Sequence, residues 1–135
     1  MSKNKSTYRV YYEDTDAGQV VFYGNYLKFA ERARTDALIE SGFNQQKLMK
    51  EEGIFFVVRR VELDYLMPAF LGDEITVETE TIKQGKSSIY LSQQMLNQNG
   101  DKLADMKCQI VCVKRNERGE IKSNKIPQEI IDIFA

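Results

Sequence analysis

The chain contains no histidine. That excludes every mechanism built on an imidazole, a Ser-His-Asp triad among them, and leaves carboxylates, thiols, hydroxyls and backbone groups for any acid–base or nucleophilic work near neutral pH. Cysteine is scarce as well: Cys108 and Cys112 stand four positions apart in a segment that alternates like a strand. At about 3.4 Å per residue they lie roughly 13 Å apart, too far for a disulfide. Two thiols without a histidine are also too few for a metal site. Both read as small buried side chains in a reducing compartment, and no metal or other cofactor is expected. No apolar run approaches the roughly 20 residues that span a bilayer, and Lys3 and Lys5 are not followed by the apolar stretch of a secretory signal. A soluble cytoplasmic protein with no membrane span is the expectation. Charge of either sign is not in excess: 19 Lys and Arg face 20 Asp and Glu, a net charge of −1, so no broad field attracts nucleic acid.

What is present suffices for one core. The 135 residues, 42% of them hydrophobic, have the length of a single domain over residues 1–135, and neither repeat nor linker divides them. A strand is expected at about Tyr8 to Tyr12. From Gly24 to Glu40, Tyr26, Phe29, Ala30, Ala33 and Ala37 recur at helical spacing against Lys28, Arg32, Thr35 and Asp36, with Gly42 as the stop. A second short helix fits Gln45 to Glu52. The period then changes to two through Phe55, Val57, Val61, Leu63 and Tyr65, ending at Pro68 and Gly72-Asp73. Strands follow at Glu74 to Lys83, Ser88 to Asn97 and Lys102 to Lys114, joined by Gln84-Gly85-Lys86 and by Asn99-Gly100, a strong hairpin signal. Asn116 to Gly119 reads as a turn, and Pro127 opens a short last helix through Ile133. One long helix followed by hairpin-linked strands points to an α+β layer fold. Apolar residues on both phases of the strands make dimerisation a reasonable way to bury or extend the sheet.

Between the first strand and the long helix runs Tyr11-Tyr12-Glu13-Asp14-Thr15-Asp16-Ala17-Gly18-Gln19-Val20-Val21-Phe22-Tyr23-Gly24-Asn25-Tyr26. Paired carboxylates before a helix have a structural explanation, since an acidic side chain caps free N–H groups and complements the helix dipole. The segment also has the makings of a site. Asp16 and Gly18 precede an apolar run, and Tyr23-Gly24-Asn25 opens the helix, so a carboxylate and free helix N–H groups can converge on one ligand, as acyl transfer requires.

Tyr12-Glu13-Asp14-Thr15-Asp16-Ala17-Gly18, Val20-Val21, Asn25-Tyr26 and Glu31-Arg32-Ala33-Arg34 together resemble the hotdog-fold acyl-CoA thioesterases, in the branch holding 4-hydroxybenzoyl-CoA thioesterase and the YbgC proteins associated with Tol-Pal. The likeness extends more loosely from Thr7 to Lys114. It implies a five- to six-stranded antiparallel sheet wrapped around one long central helix, with subunits paired edge to edge as a homodimer or homotetramer. It implies hydrolysis of an acyl-CoA thioester, with Asp16 as nucleophile or general base and the backbone N–H of Tyr23 as oxyanion donor. An acyl carrier protein is a second possible carrier of the thioester.

Gly18, Val20 and Asn25 fall at the substrate by this resemblance, although Asn25 also suits a cap or a tie to the Asp16 loop. Glu31 either orients the site or pairs with Arg34 or Lys28. Arg59 interrupts the apolar phase of its strand, as a substrate contact or as an exposed strand end. Lys86 and Ser87, with Lys83, match loosely the family's basic loop for the phosphates of coenzyme A, and Lys114, Arg115 and Arg118 form a second basic cluster, although solvated turns explain both as well. Tyr26 and Phe29 read as core rather than as acyl pocket. One departure stands out: many YbgC-type members carry a histidine where this chain has Tyr23, whereas the 4-hydroxybenzoyl-CoA branch has tyrosine. This leaves open a catalytically silent protein that binds acyl-CoA, acyl carrier protein or a protein partner. Hydratases of this fold use a histidine with a carboxylate, so thioester hydrolysis is the chemistry that remains.

Overall fold

The computed structural model describes residues 4–135; Lys3 therefore lies outside the described residues. The chain runs β1 (Asn4–Arg9), a single 3-10 turn (Tyr12–Asp14), α1 (Asn25–Glu40), α2 (Gln45–Glu52), β2 (Ile54–Tyr65), β3 (Glu74–Gln84), β4 (Ser88–Leu96), β5 (Lys102–Arg115), β6 (Ile121–Ser123) and α3 (Gln128–Ile133). All strand pairs are antiparallel, in the order β1-β3-β4-β5-β2, and β6 pairs with β5. Two expectations shift. The first strand ends at Arg9 rather than reaching Tyr12, because Tyr12–Asp14 close into the 3-10 turn through the N–H groups of Asp14 and Thr15. The short β6 was not anticipated: Lys122 is flanked by exposed residues, so its three positions carry no burial pattern.

The sheet curls around α1. On β4, Ile89, Leu91, Gln93 and Met95 are buried and alternate with half-buried Tyr90, Ser92 and Gln94; Ile75, Val77 and Thr79 of β3 repeat the pattern. Onto this surface α1 lays Tyr26, Phe29, Ala30, Ala33 and Ala37, all buried as their spacing requires. The alanines let helix and sheet backbones approach, closely enough that Gln93 Nε2 donates to the carbonyl of Ala30 at 2.9 Å. Burying a side chain such as Phe29 or Leu91 contributes about 2 kcal/mol. The helix is thus both wrapped by the sheet and pinned to it. Thr35 and Asp36, expected on the solvent side, are half-buried; the Tyr8 hydroxyl donates to Asp36, and burial first, then this bond, raises the Tyr8 phenol above its usual range. Cys108 and Cys112 are buried and free, as their spacing required.

The ends of the sheet differ in consequence. β1 and β2 are its two edges. β2 carries exposed Val57, Val58, Val61 and Tyr65 along a strand bonded on one side only, a surface suited to pairing with another strand.

Gly53 ends α2 at φ 70°, and a Cβ there would sit 2.6 Å from the Arg115 carbonyl oxygen of β5. The Gly53→Ala variant should lose about 2 kcal/mol or more of unfolding free energy in urea, from strain and displacement together.

Candidate active site

The segment between β1 and α1 is a miniature hairpin. Thr15 and Val21 form an antiparallel bridge; the Phe22 N–H donates to the Asp14 carbonyl at 2.9 Å, and the Asp16 N–H to the Val20 carbonyl at 3.0 Å. Asp16-Ala17-Gly18-Gln19 is its tip, closed by the Gln19 N–H on the Asp16 carbonyl, with Gln19 in the left-handed region at φ 63°. The hairpin is sewn to the segment before β3, where Val21 N–H meets the Ala69 carbonyl and Leu71 N–H the Gln19 carbonyl.

Within this loop the two carboxylates part company. Asp14 is 2% exposed: one carboxylate oxygen accepts the Tyr11 N–H at 2.9 Å and the other accepts Asn25 Nδ2 at 2.8 Å. Asn25 is itself buried at the first position of α1, so the pair ties the hairpin's entry to the helix start. Asp16 is exposed at the tip, and among the described residues its one side-chain bond is from the Gly18 N–H to Oδ1 at 2.9 Å. That bond fixes the carboxylate's direction and leaves Oδ2 for chemistry. A Cβ at position 18 would lie 3.4 Å from Oδ1, so glycine keeps this approach open.

The helix start faces the same loop. No side chain caps α1, and the N–H groups of Tyr23 and Gly24 donate to no acceptor among the described residues. The Tyr65 hydroxyl holds the Tyr23 carbonyl at 2.9 Å, and Tyr23, Tyr26 and Tyr65 with Met67 and Pro68 wall a cleft of about 310 Å³. Burial raises the Tyr26 and Tyr65 phenols above their usual values. Tyr65, read from the sequence only as a strand residue, is a missed member of the site; Tyr26 is core, as expected, and also lines the cleft.

Further along α1 lies a larger cavity of about 400 Å³ between the helix's second half and the sheet, with Glu31 and Arg34 on α1, Phe56, Val57 and Val58 on β2, and Ile130 and Phe134 at the C-terminal end. Glu31 is exposed there and accepts the Thr35 hydroxyl at 2.6 Å; neither Arg34 nor Lys28 is within ion-pair reach, so that expected pairing is not formed among the described residues. Arg34 is the second missed residue. Its position four after Ala30, a charge beside the apolar stripe, was the available signal.

The remaining expected residues are scattered. Val20 is half-buried and bridged to Phe70, beside the tip. Arg59 is the extra residue of a bulge on the exposed edge of β2, between Val58 opposite Ile110 and Arg60 opposite Gln109. Lys86 and Ser87 form the β3–β4 turn, their carbonyls taken by the Ile126 and Cys112 N–H groups, while Lys83 lies 4.5 Å over the Tyr90 ring. This turn and Lys114-Arg115 belong to the end of β5 away from the hairpin. Tyr65 pairs with Ala104 and Ile54 with Lys114, ten residues or roughly 34 Å along the strand. Within one chain, the basic clusters and Asp16 are not brought together.

The antiparallel sheet packed on one long helix is the hotdog architecture, with a carboxylate-bearing hairpin ahead of the helix. The family model described as "Thioesterase superfamily" matches residues 18–104, and the chain belongs to that superfamily. It is 41% identical over 126 residues to the acyl-CoA thioesterase YbgC of Haemophilus influenzae, covering 93% of this chain and 90% of that protein. It is 38% identical to the acyl-CoA thioester hydrolase YbgC of Escherichia coli O6:H1, covering 93% and 91%. Among solved structures, a probable thioesterase from Bartonella henselae superposes with TM-score 0.83 at 30% identity, over 93% of this chain and 100% of that one. 4-Hydroxybenzoyl-CoA thioesterase, an Asp-to-Asn mutant complexed with 4-hydroxybenzoyl-CoA, superposes with TM-score 0.87 at 16% identity over the whole of both chains, a likeness of fold. Thioester hydrolysis is accordingly the enzyme class of this chain.

The unequal carboxylates have unequal consequences for stability. Asp14→Ala strands the Tyr11 N–H and the buried Asn25 amide and should cost about 2 kcal/mol in chemical denaturation. Asp16→Ala, at an exposed tip, should change stability by less than about 0.5 kcal/mol.

Proposed function

We propose that the chain hydrolyses acyl-CoA thioesters at Asp16, as a dimer paired through β2. The observation that carries this reading is the contrast inside the hairpin: Asp14 is consumed by structure, whereas Asp16 is exposed, oriented and carried on the hairpin that leads into an uncapped helix start. In one route an Asp16 oxygen attacks the carbonyl carbon, the C–S bond breaks and coenzyme A leaves as a thiolate that takes a proton from water; water then cleaves the mixed anhydride. In the other, Asp16 removes a proton from water as that water attacks the carbonyl carbon; the tetrahedral intermediate then breaks its C–S bond, and the proton on Asp16 passes to the departing thiolate. Both place negative charge on the thioester oxygen, where the Tyr23 N–H is the donor; one such donor contributes about 3 kcal/mol to transition-state stabilisation. This role uses the backbone, so tyrosine in place of histidine does not impair it.

Dimerisation supplies the missing parts. Antiparallel pairing of β2 with its copy brings the Ile54 end of one strand beside the Tyr65 end of the other. Lys86, Ser87, Lys114 and Arg115 of one chain then approach the hairpin of its partner, where cations suit the phosphates of coenzyme A. The same pairing turns the 400 Å³ cavity behind Phe56 and Val58 toward the partner's Asp16 loop, as an acyl pocket with Glu31 at its mouth. Gly18 and Val20 shape the tip at the substrate, Asn25 holds the loop from behind, and Arg59 lies at the pairing edge.

Free-thiol release from short-chain, long-chain and aromatic acyl-CoAs, and from an acylated carrier protein, tests the reaction. Asp16→Asn should lower kcat by about 10²- to 10⁴-fold. No thiol above background from any thioester would remove the hydrolase reading; an unimpaired Asp16→Asn would remove Asp16 from it. Sedimentation should give at least twice the 15.6 kDa chain mass, and a monomer at assay concentration would contradict the shared site.

A further inference from the structure

Arg34 is a cation out of place. Its guanidinium reaches inward from α1 to the sheet, where Nη1 donates to Gln93 Oε1 at 2.9 Å and stands 4.0 Å from the Cys108 sulfur. Gln93 is fully buried, and its amide nitrogen is committed to the Ala30 carbonyl and to Thr79 Oγ1, so its orientation is set with the oxygen toward Arg34. Cys108 offers no counter-charge: burial raises its thiol above the usual value, even with the guanidinium pulling the other way. Among the described residues no carboxylate lies within 4.0 Å of Arg34. Glu31 lines the same cavity but is exposed and engaged by Thr35.

A half-buried guanidinium with a neutral amide as its hydrogen-bond partner gives up part of its hydration and finds no counter-charge among the described residues. The walls around it are otherwise mostly apolar, Leu38, Phe56, Leu91 and Ile110 among them. An alkyl chain would satisfy those walls and leave the cation bare. A chain ending in a carboxylate would satisfy both, because the planar fork of arginine accepts a carboxylate through two parallel N–H bonds.

The geometry points to Arg34 as the specificity-determining residue for an acyl group that ends in a carboxylate: the substrate is the mono-thioester of a dicarboxylic acid, its methylenes along the apolar wall and its free carboxylate on Arg34. This rests on the cavity being the acyl pocket of the proposed hydrolase.

The test compares succinyl- and glutaryl-CoA with butyryl- and pentanoyl-CoA, matched in chain length, by kcat/KM from free-thiol release. The wild type should favour the dicarboxylic member of each pair by about ten-fold or more. Arg34→Gln should collapse that ratio, chiefly through KM, and Arg34→Lys should retain part of it. A purely structural Arg34 would depress both members equally and leave the ratio unchanged, which overturns the assignment, as does a wild-type ratio at or below one. Calorimetric binding of the non-hydrolysable thioether analogues of succinyl- and butyryl-CoA gives the same comparison without turnover. Loss of thiol release with a preserved binding preference contradicts the hydrolase and upholds Arg34; turnover with no preference does the reverse.

Discussion

The buried Asp14 carboxylate is the constraint on which the site depends. Its two oxygens take one N–H from Tyr11, just past β1, and one amide from Asn25, the first residue of α1, closing the hairpin between them onto the helix it precedes. A carboxylate 2% exposed is costly unless its lone pairs are occupied. Here the requirement works in the fold's favour, since the groups that satisfy it are those whose relative position matters. With the hairpin fixed, the Asp16 tip and the free N–H of Tyr23 are held by backbone, and Gly18 sets the angle of the remaining carboxylate.

A second tie works at the middle of the helix. Gln93, a polar side chain on the inner face of β4, binds the Ala30 carbonyl, Thr79 and Arg34. The small alanines of α1 permit the approach, and the tie places a guanidinium on the wall of the 400 Å³ cavity. The hairpin at the start of α1 carries the proposed catalytic carboxylate, and the helix's second half borders a cavity. They lie toward opposite ends of β2, and the proposed pairing of that edge with a copy of itself would join them.

Much of this was legible from residue order. The helical spacing of Tyr26, Phe29, Ala30, Ala33 and Ala37 specified the wrapped helix, and Asn99-Gly100 specified a hairpin whose positive φ falls at Gly100. Both carboxylates were legible as a group in the loop before the helix, and the structure shows Asp14 as that loop's anchor. What escaped was set by contacts distant in sequence. Tyr65 joins the site because its hydroxyl crosses 42 positions to the Tyr23 carbonyl, and Arg34 turns inward because Gln93, 59 positions on, waits beneath it. The expected Glu31–Arg34 pair failed for the same reason: Gln93 and Thr35 take the two partners first. Lys86 and Ser87 sit at the far end of the sheet because antiparallel register, not proximity in sequence, decides which turns share an end.

The most direct measurement of the central claim is a double-mutant cycle between Asp14→Ala and Asn25→Ala, read in kcat/KM for thioester hydrolysis by variants confirmed as folded. If the Asp14–Asn25 tie holds the Asp16 loop against the helix start, each single variant should lose nearly as much activity as the double variant, a coupling of about 1–3 kcal/mol. Additive losses, or turnover at the wild-type rate in either folded single variant, would contradict it.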